Sequence, residues 1–117
     1  MRAPLVVLIA ITSGCVFSHA VAVGAPQSPR PDDCAIQIAQ DPPEELLSEY
    51  KRVGSVCISV GNDRVLADRG GRAELQRRAC ELGGEVVSAS GPCTVTCGDD
   101  SCDGTEFAVM RARPTGR

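Results

Sequence analysis

Six cysteines between residues 34 and 102, in a chain with only three aromatic side chains, set the terms on which this sequence can fold. The aromatics are Phe17, Tyr50 and Phe107, and tryptophan is absent. Aromatic side chains bury the most area per residue, so such a chain is short of core material. At 117 residues it holds one small domain, of a size where cross-links often supplement burial. Three disulfides at about 2–4 kcal/mol each match the whole net stability of a small domain. The cysteines are therefore read as a disulfide framework: Cys34, Cys57, Cys80, Cys93, Cys97 and Cys102.

A disulfide framework belongs outside the cytosol, and the N-terminus agrees. Met1-Arg2 gives a positive start, Leu5 to Ile11 is unbroken and apolar, and small polar residues follow. This is the layout of a secretory signal peptide over residues 1–20. The apolar run falls well short of the roughly 20 residues that a spanning helix needs. Two processing sites compete. Ser18-His19-Ala20 offers small residues at the positions a signal peptidase reads, giving a mature chain that begins at Val21. Thr12-Ser13-Gly14-Cys15 resembles a bacterial lipobox, with Thr12 where that family most often has leucine. That resemblance implies a lipoprotein signal over residues 1–14 and a lipid on Cys15. Either route removes Cys15 from the thiol pool and leaves an even number of cysteines. The expected location is extracytoplasmic: secreted or periplasmic, or anchored to the membrane through Cys15. The membrane enters only through the signal or that anchor.

Residues 21–33 read as a proline-rich linker, and residues 34–113 as the ordered domain. Within it, Leu46, Leu47, Tyr50 and Val53 form a stripe at helical spacing, which predicts a helix over Pro43 to Val53 ended by Gly54. Ser55 to Val60 alternates as a half-buried strand, and a short strand is expected at Arg64 to Ala67. A second helix is expected from about Gly71 or Arg72 to Leu82, carrying Leu75, Ala79 and Leu82 on one face. Glu74 with Arg78 and Arg77 with Glu81 make opposite-charge pairs on its outer side. Extended pieces follow at Glu85 to Ala89, Cys93 to Cys97 and Thr105 to Arg111, with another at Cys34 to Ala39. The predicted class is α+β: a small disulfide-rich domain with two helices packed on a short antiparallel or mixed sheet.

Six cysteines permit fifteen pairings. If residues 93–97 are extended, the α-carbons of Cys93 and Cys97 lie about 13 Å apart at roughly 3.3 Å per residue. A disulfide requires them within about 7 Å, so each seeks another partner. The loop from Gly98 to Ser101 favours a local bridge between Cys97 and Cys102.

Asp99, Ser101 and Asp103, with Gly104 behind them, resemble the start of an EF-hand calcium loop. Position twelve is Met110 where that loop needs a bidentate glutamate, so these residues make only a weak calcium candidate. Zinc and thioredoxin-type redox spacings are absent, and no cofactor is called for. The only histidine is His19, so the domain lacks the base of a serine or cysteine hydrolase. Lys and Arg number 12 against 15 Asp and Glu, a balance that disfavours nucleic acid. The function expected is that of a non-enzymatic binding or structural module of the envelope or extracellular space, with a protein or surface partner. One alternative is an inhibitor-like protein presenting a constrained loop over residues 98–104. Another is a small hydrolase with two carboxylates in a cleft.

Overall fold

The computed structural model describes residues 16–39, 48–59, 65 and 67–113. Five strands and one helix with assigned bounds lie within them: β1 (Ser18–Ala22), β2 (Gln37–Ile38), β3 (Tyr50–Ile58), α1 (Arg69–Glu81), β4 (Val86–Cys97) and β5 (Asp100–Ala112). The sheet order is β1-β3-β5-β4-β2. The first four strands in that order pair antiparallel, and β2 lies parallel to β4. Since β3 and β4 both run antiparallel to β5, they are parallel to each other, and α1 carries the chain between them.

The expected pair of helices on a short sheet is corrected to one helix on a five-stranded mixed sheet among the described residues. The C-terminal part of the first expected helix, Tyr50 to Val53, belongs to β3. Ser48 and Glu49 are helical, and Pro43 to Leu47 lie outside the described residues. The physical reason is a bulge. The register of β3 against β5 shifts between Arg52 and Gly54, leaving Val53 as the extra residue. Val53 and Val56 both enter the core, although an unbroken strand would send them to opposite faces. The Tyr50–Val53 spacing that suggests a helix runs into this bulge, where the strand's period of two is broken. Gly54 stands inside the strand and does not end a helix. Of the short strand expected at Arg64 to Ala67, Val65 and Ala67 are helical, and Arg64 and Leu66 lie outside the described residues.

The helix α1 is locally encoded at both ends. Asp68 caps its start, its carboxylate accepting from the Gly71 amide at 2.8 Å. At the other end Gly83 N donates to the Cys80 carbonyl at 2.9 Å and Gly84 N to the Ala79 carbonyl at 2.8 Å. That pair of bonds is a Schellman stop. Gly71, Leu75 and Ala79, four residues apart, are the buried stripe.

The core is largely aliphatic: Val53, Val56, Ile58, Val65, Leu75, Ala79, Val87 and Val109 surround Phe107. Phe107 lies on the central strand between Val56 of β3 and Ala89 of β4, and is 1% exposed. One of three aromatics thus fills the middle of the sheet, while Phe17 is exposed and Tyr50 is half-buried. Three disulfides supplement this core. Cys34–Cys80 ties the segment before β2 to the end of α1, Cys57–Cys93 crosses from β3 to β4, and Cys97–Cys102 closes the β4–β5 hairpin.

Candidate functional site

The most distinctive surface is the end of that hairpin. Pairing between β3 and β5 ends at Ile58 and Thr105, but β4 and β5 continue through Cys93–Gly104 to Cys97–Asp100. This two-stranded arm turns at Gly98-Asp99, with Gly98 at φ 66°, a conformation suited to tight hairpins and readily adopted by glycine. Isolated two-stranded ribbons are marginally stable in water. Here Cys57–Cys93 clamps the root and Cys97–Cys102 clamps the tip.

Alternation gives the arm two different faces. Cys93, Val95 and Cys97 share one face with Cys102 and Gly104, and Val95 is only 5% exposed. Thr94 and Thr96, opposite Asp103 and Ser101, form the other face, and all four are exposed. Asp99 and Asp100 are exposed at the tip. Between Arg78 and Arg111 the sequence has no lysine or arginine, so the arm is an acidic projection.

The calcium candidate does not take the shape that calcium needs. Ser101 and Asp103 lie on a strand and Asp99 in the turn, whereas an EF-hand loop wraps its ligands around the ion. Among the described residues no group of three or more His, Cys, Asp or Glu side chains is placed to hold a metal ion. The candidate inhibitor loop is likewise mostly regular structure, since residues 100–104 belong to β5. Cys15 lies outside the described residues.

A second polar cluster lies on α1. Arg77 bonds Glu74 at 2.7 Å and Glu81 at 2.9 Å, while Arg78 reaches Glu74 and Glu81, each at 3.4 Å. Ser18 of β1 joins them: its hydroxyl donates to Glu74 Oε2 and accepts from Arg78 Nε at 2.8 Å. Partial burial pushes the Glu74 carboxyl up. The Arg77 and Ser18 hydrogen bonds and the charges of Arg77 and Arg78 together outweigh it, so its pKa falls below the ordinary 4.5. The hydrogen bond from Arg77 to Glu74 likewise raises the Arg77 pKa.

A lowered carboxylate pKa stabilises the fold above the unfolded value and loses that effect as pH falls through the folded one. Wild type should therefore exceed Glu74→Gln in stability at pH 7 by less than about 1 kcal/mol, the scale of exposed pairs. The gap should shrink as pH drops below 4.5. Thermal melts of both proteins from pH 7 to pH 3 measure this, and a constant gap contradicts it.

The two broader surface depressions near the sheet's other end, of about 350 and 470 Å³, share one carboxylate, Glu85. Its Oε1 accepts the Ala112 amide at 2.7 Å, which is a structural task. A third depression, about 180 Å³ between α1 and the β2 edge, is lined by Ile36, Ile38, Arg72, Leu75 and Gln76. None of these three brings two carboxylates together as a glycoside hydrolase requires.

The acidic turn and the cysteines of the arm are legible in the sequence; the length of the two-stranded ribbon is not. Its trace there is the Thr94-Val95-Thr96 alternation between Cys93 and Cys97, matched across the turn by Ser101-Cys102-Asp103. The chain is a small domain held by three disulfides, and comparison with protein-family models, curated proteins and solved structures returns no match.

Proposed function

We propose that the protein is an exported binding module that works without catalysis and offers the acidic β4–β5 arm to a basic protein surface on the cell envelope or outside it. The observation that carries this reading is the clamped arm. A ribbon held at root and tip has little conformational freedom left to lose, which lowers the cost of ordering it on a partner. Its three aspartates, with no cation near them in sequence, favour a partner of opposite charge and steer the encounter. The lone histidine supports the non-catalytic part: His19 is exposed on edge strand β1. Export is supported by the leader and by the number of disulfides.

The test is retention of labelled, oxidised protein on envelope preparations from the producing cell. Wild type should be retained, and retention should weaken with added salt. The variant Asp99→Lys, Asp100→Lys, Asp103→Lys should melt at a similar temperature, because these side chains are exposed, and should lose retention at least about tenfold. Equal retention of the two proteins contradicts the proposal. Stoichiometric inhibition in a protease panel would move the reading to an inhibitor, with the same arm as its contact.

A further inference from the structure

Ordinary secretion would end the leader at Ala20, and that cut falls inside β1. The fold uses these residues throughout. Strand β1 pairs with β3 over five positions, from Ser18 opposite Ile58 to Ala22 opposite Gly54. Phe17 and Ser59 are joined twice: Ser59 N donates to the Phe17 carbonyl at 2.9 Å, and Phe17 N donates to Ser59 Oγ at 3.0 Å. Beyond the strand, Val23 N donates to the Val53 carbonyl at 2.9 Å. Val16 and Ala20 pack against the core that contains Val56, Ile58 and Leu75.

Two further features match the rest of the domain to this strand. Ser18 stands within the Glu74–Arg78 cluster of α1, and its carbonyl also accepts from Arg78 Nη2 at 3.4 Å. On β3, a side chain at Gly54 would place its Cβ 2.6 Å from the Val21 carbonyl oxygen, so the bare backbone there leaves room for β1. A cut after Ala20 deletes Ser18, His19 and Ala20, three of the five residues of β1, and leaves an edge of β3 unpaired. A short edge such as β1 is tolerated, whereas the nine-residue β3 laid bare as an edge is a longer template for aggregation.

We infer that Val16–Ala22 is a permanent part of the domain and that processing lies N-terminal to Val16 and not after Ala20. This rests on the export reading above. Of the two processing signals in the sequence, only Thr12-Ser13-Gly14-Cys15 meets the requirement. The Cys15 thiol first takes a diacylglyceryl group from a glycerophospholipid: the C–S bond forms as the glycerol C–O bond to the phosphate headgroup breaks, and the thiol proton leaves with that phosphate. The cut is then hydrolysis of the Gly14–Cys15 amide, water supplying the carboxylate oxygen of Gly14 and the amine proton of Cys15.

The experiment expresses the full chain in an exporting bacterium and determines the first residue of the oxidised protein by N-terminal mapping and intact mass. A first residue at or before Val16 is expected, with Cys15 as that residue, and a lipid on its sulfur read directly from the mass. Cys15→Ser should then accumulate unprocessed chain. A folded, oxidised protein beginning at Phe17 or later overturns the inference, as does Cys15→Ser yielding the same Val21 terminus as wild type. A chain that keeps Met1 with its thiols reduced refutes export instead. In that chain hydrogen exchange decides whether β1 is docked. The Ser59 and Val23 amides should be slowed at least ~100-fold, and free exchange at both overturns the inference.

Discussion

Gly104→Ala should cost about 3 kcal/mol and detach the arm from the end of β3. A Cβ at residue 104 would lie 2.2 Å from the carbonyl oxygen of Ile58 and 2.8 Å from its carbonyl carbon. Both atoms are backbone in a strand paired on two sides, so neither can swing aside as a side-chain tip would. Overpacking a core commonly costs about 1–3 kcal/mol, and a backbone obstacle puts this substitution at the upper end. Chemical denaturation of the oxidised protein measures the loss. Hydrogen exchange along β5 should show it concentrated where Thr105 meets Ile58. A variant as stable as wild type would mean that β5 does not approach β3 so closely.

Removing disulfides singly should reveal a sharp order. In the chain-entropy view a bridge stabilises by restricting the unfolded chain, and longer loops gain more. Cys34–Cys80 and Cys57–Cys93 close loops of 46 and 36 residues, and each should contribute about 4 kcal/mol. Cys97–Cys102 spans 5 residues and should contribute about 2 kcal/mol. Cysteine-to-serine pairs at each bridge, melted under identical conditions, check this. The two long-loop variants should lie close together and well below the third. The third should also leave the sheet intact and loosen only the tip, so its arm should become sensitive to proteases while the core amides stay protected. Loss of the tip bridge costing more than either long bridge contradicts this account.

How much of this architecture the sequence made legible follows from which signals are local. The helix α1 was readable because its stripe, its charge pairs and its glycine stop lie within sixteen residues of one another. The prediction that Cys93 and Cys97 are not bonded to each other needed only the length of an extended residue. The strand over Tyr50 to Val53 was not readable, because the bulge at Val53 replaced a period of two with a spacing of three. The continuity of β4 was hidden in the same way by a register shift between Ala89 and Gly91, which split one strand into two apparent pieces. β1 was concealed for a different reason. Ser18, Ala20, Val21 and Ala22 are small or aliphatic, which suits both an edge strand and the end of a leader, and only long-range pairing with β3 tells the two apart. The arm as a candidate site depended on the same non-local knowledge: the residues were visible, but the point where β3 stops was not.

The sheet order has a consequence for how the chain comes to be folded. Among the described residues β5 is the last strand in sequence, and it lies third among five in the sheet, between β3 and β4. Every residue up to about 100 can be synthesised or threaded through a channel while the two halves of the sheet still have no strand to join them. Non-local pairings of this kind form slowly, because loop closure precedes their reward. A chain delivered N-terminus first thus keeps its sheet open until β5 arrives. Phe107 and Val109 then close the core together, and Cys57 of β3 is brought within reach of Cys93 of β4 in that same event.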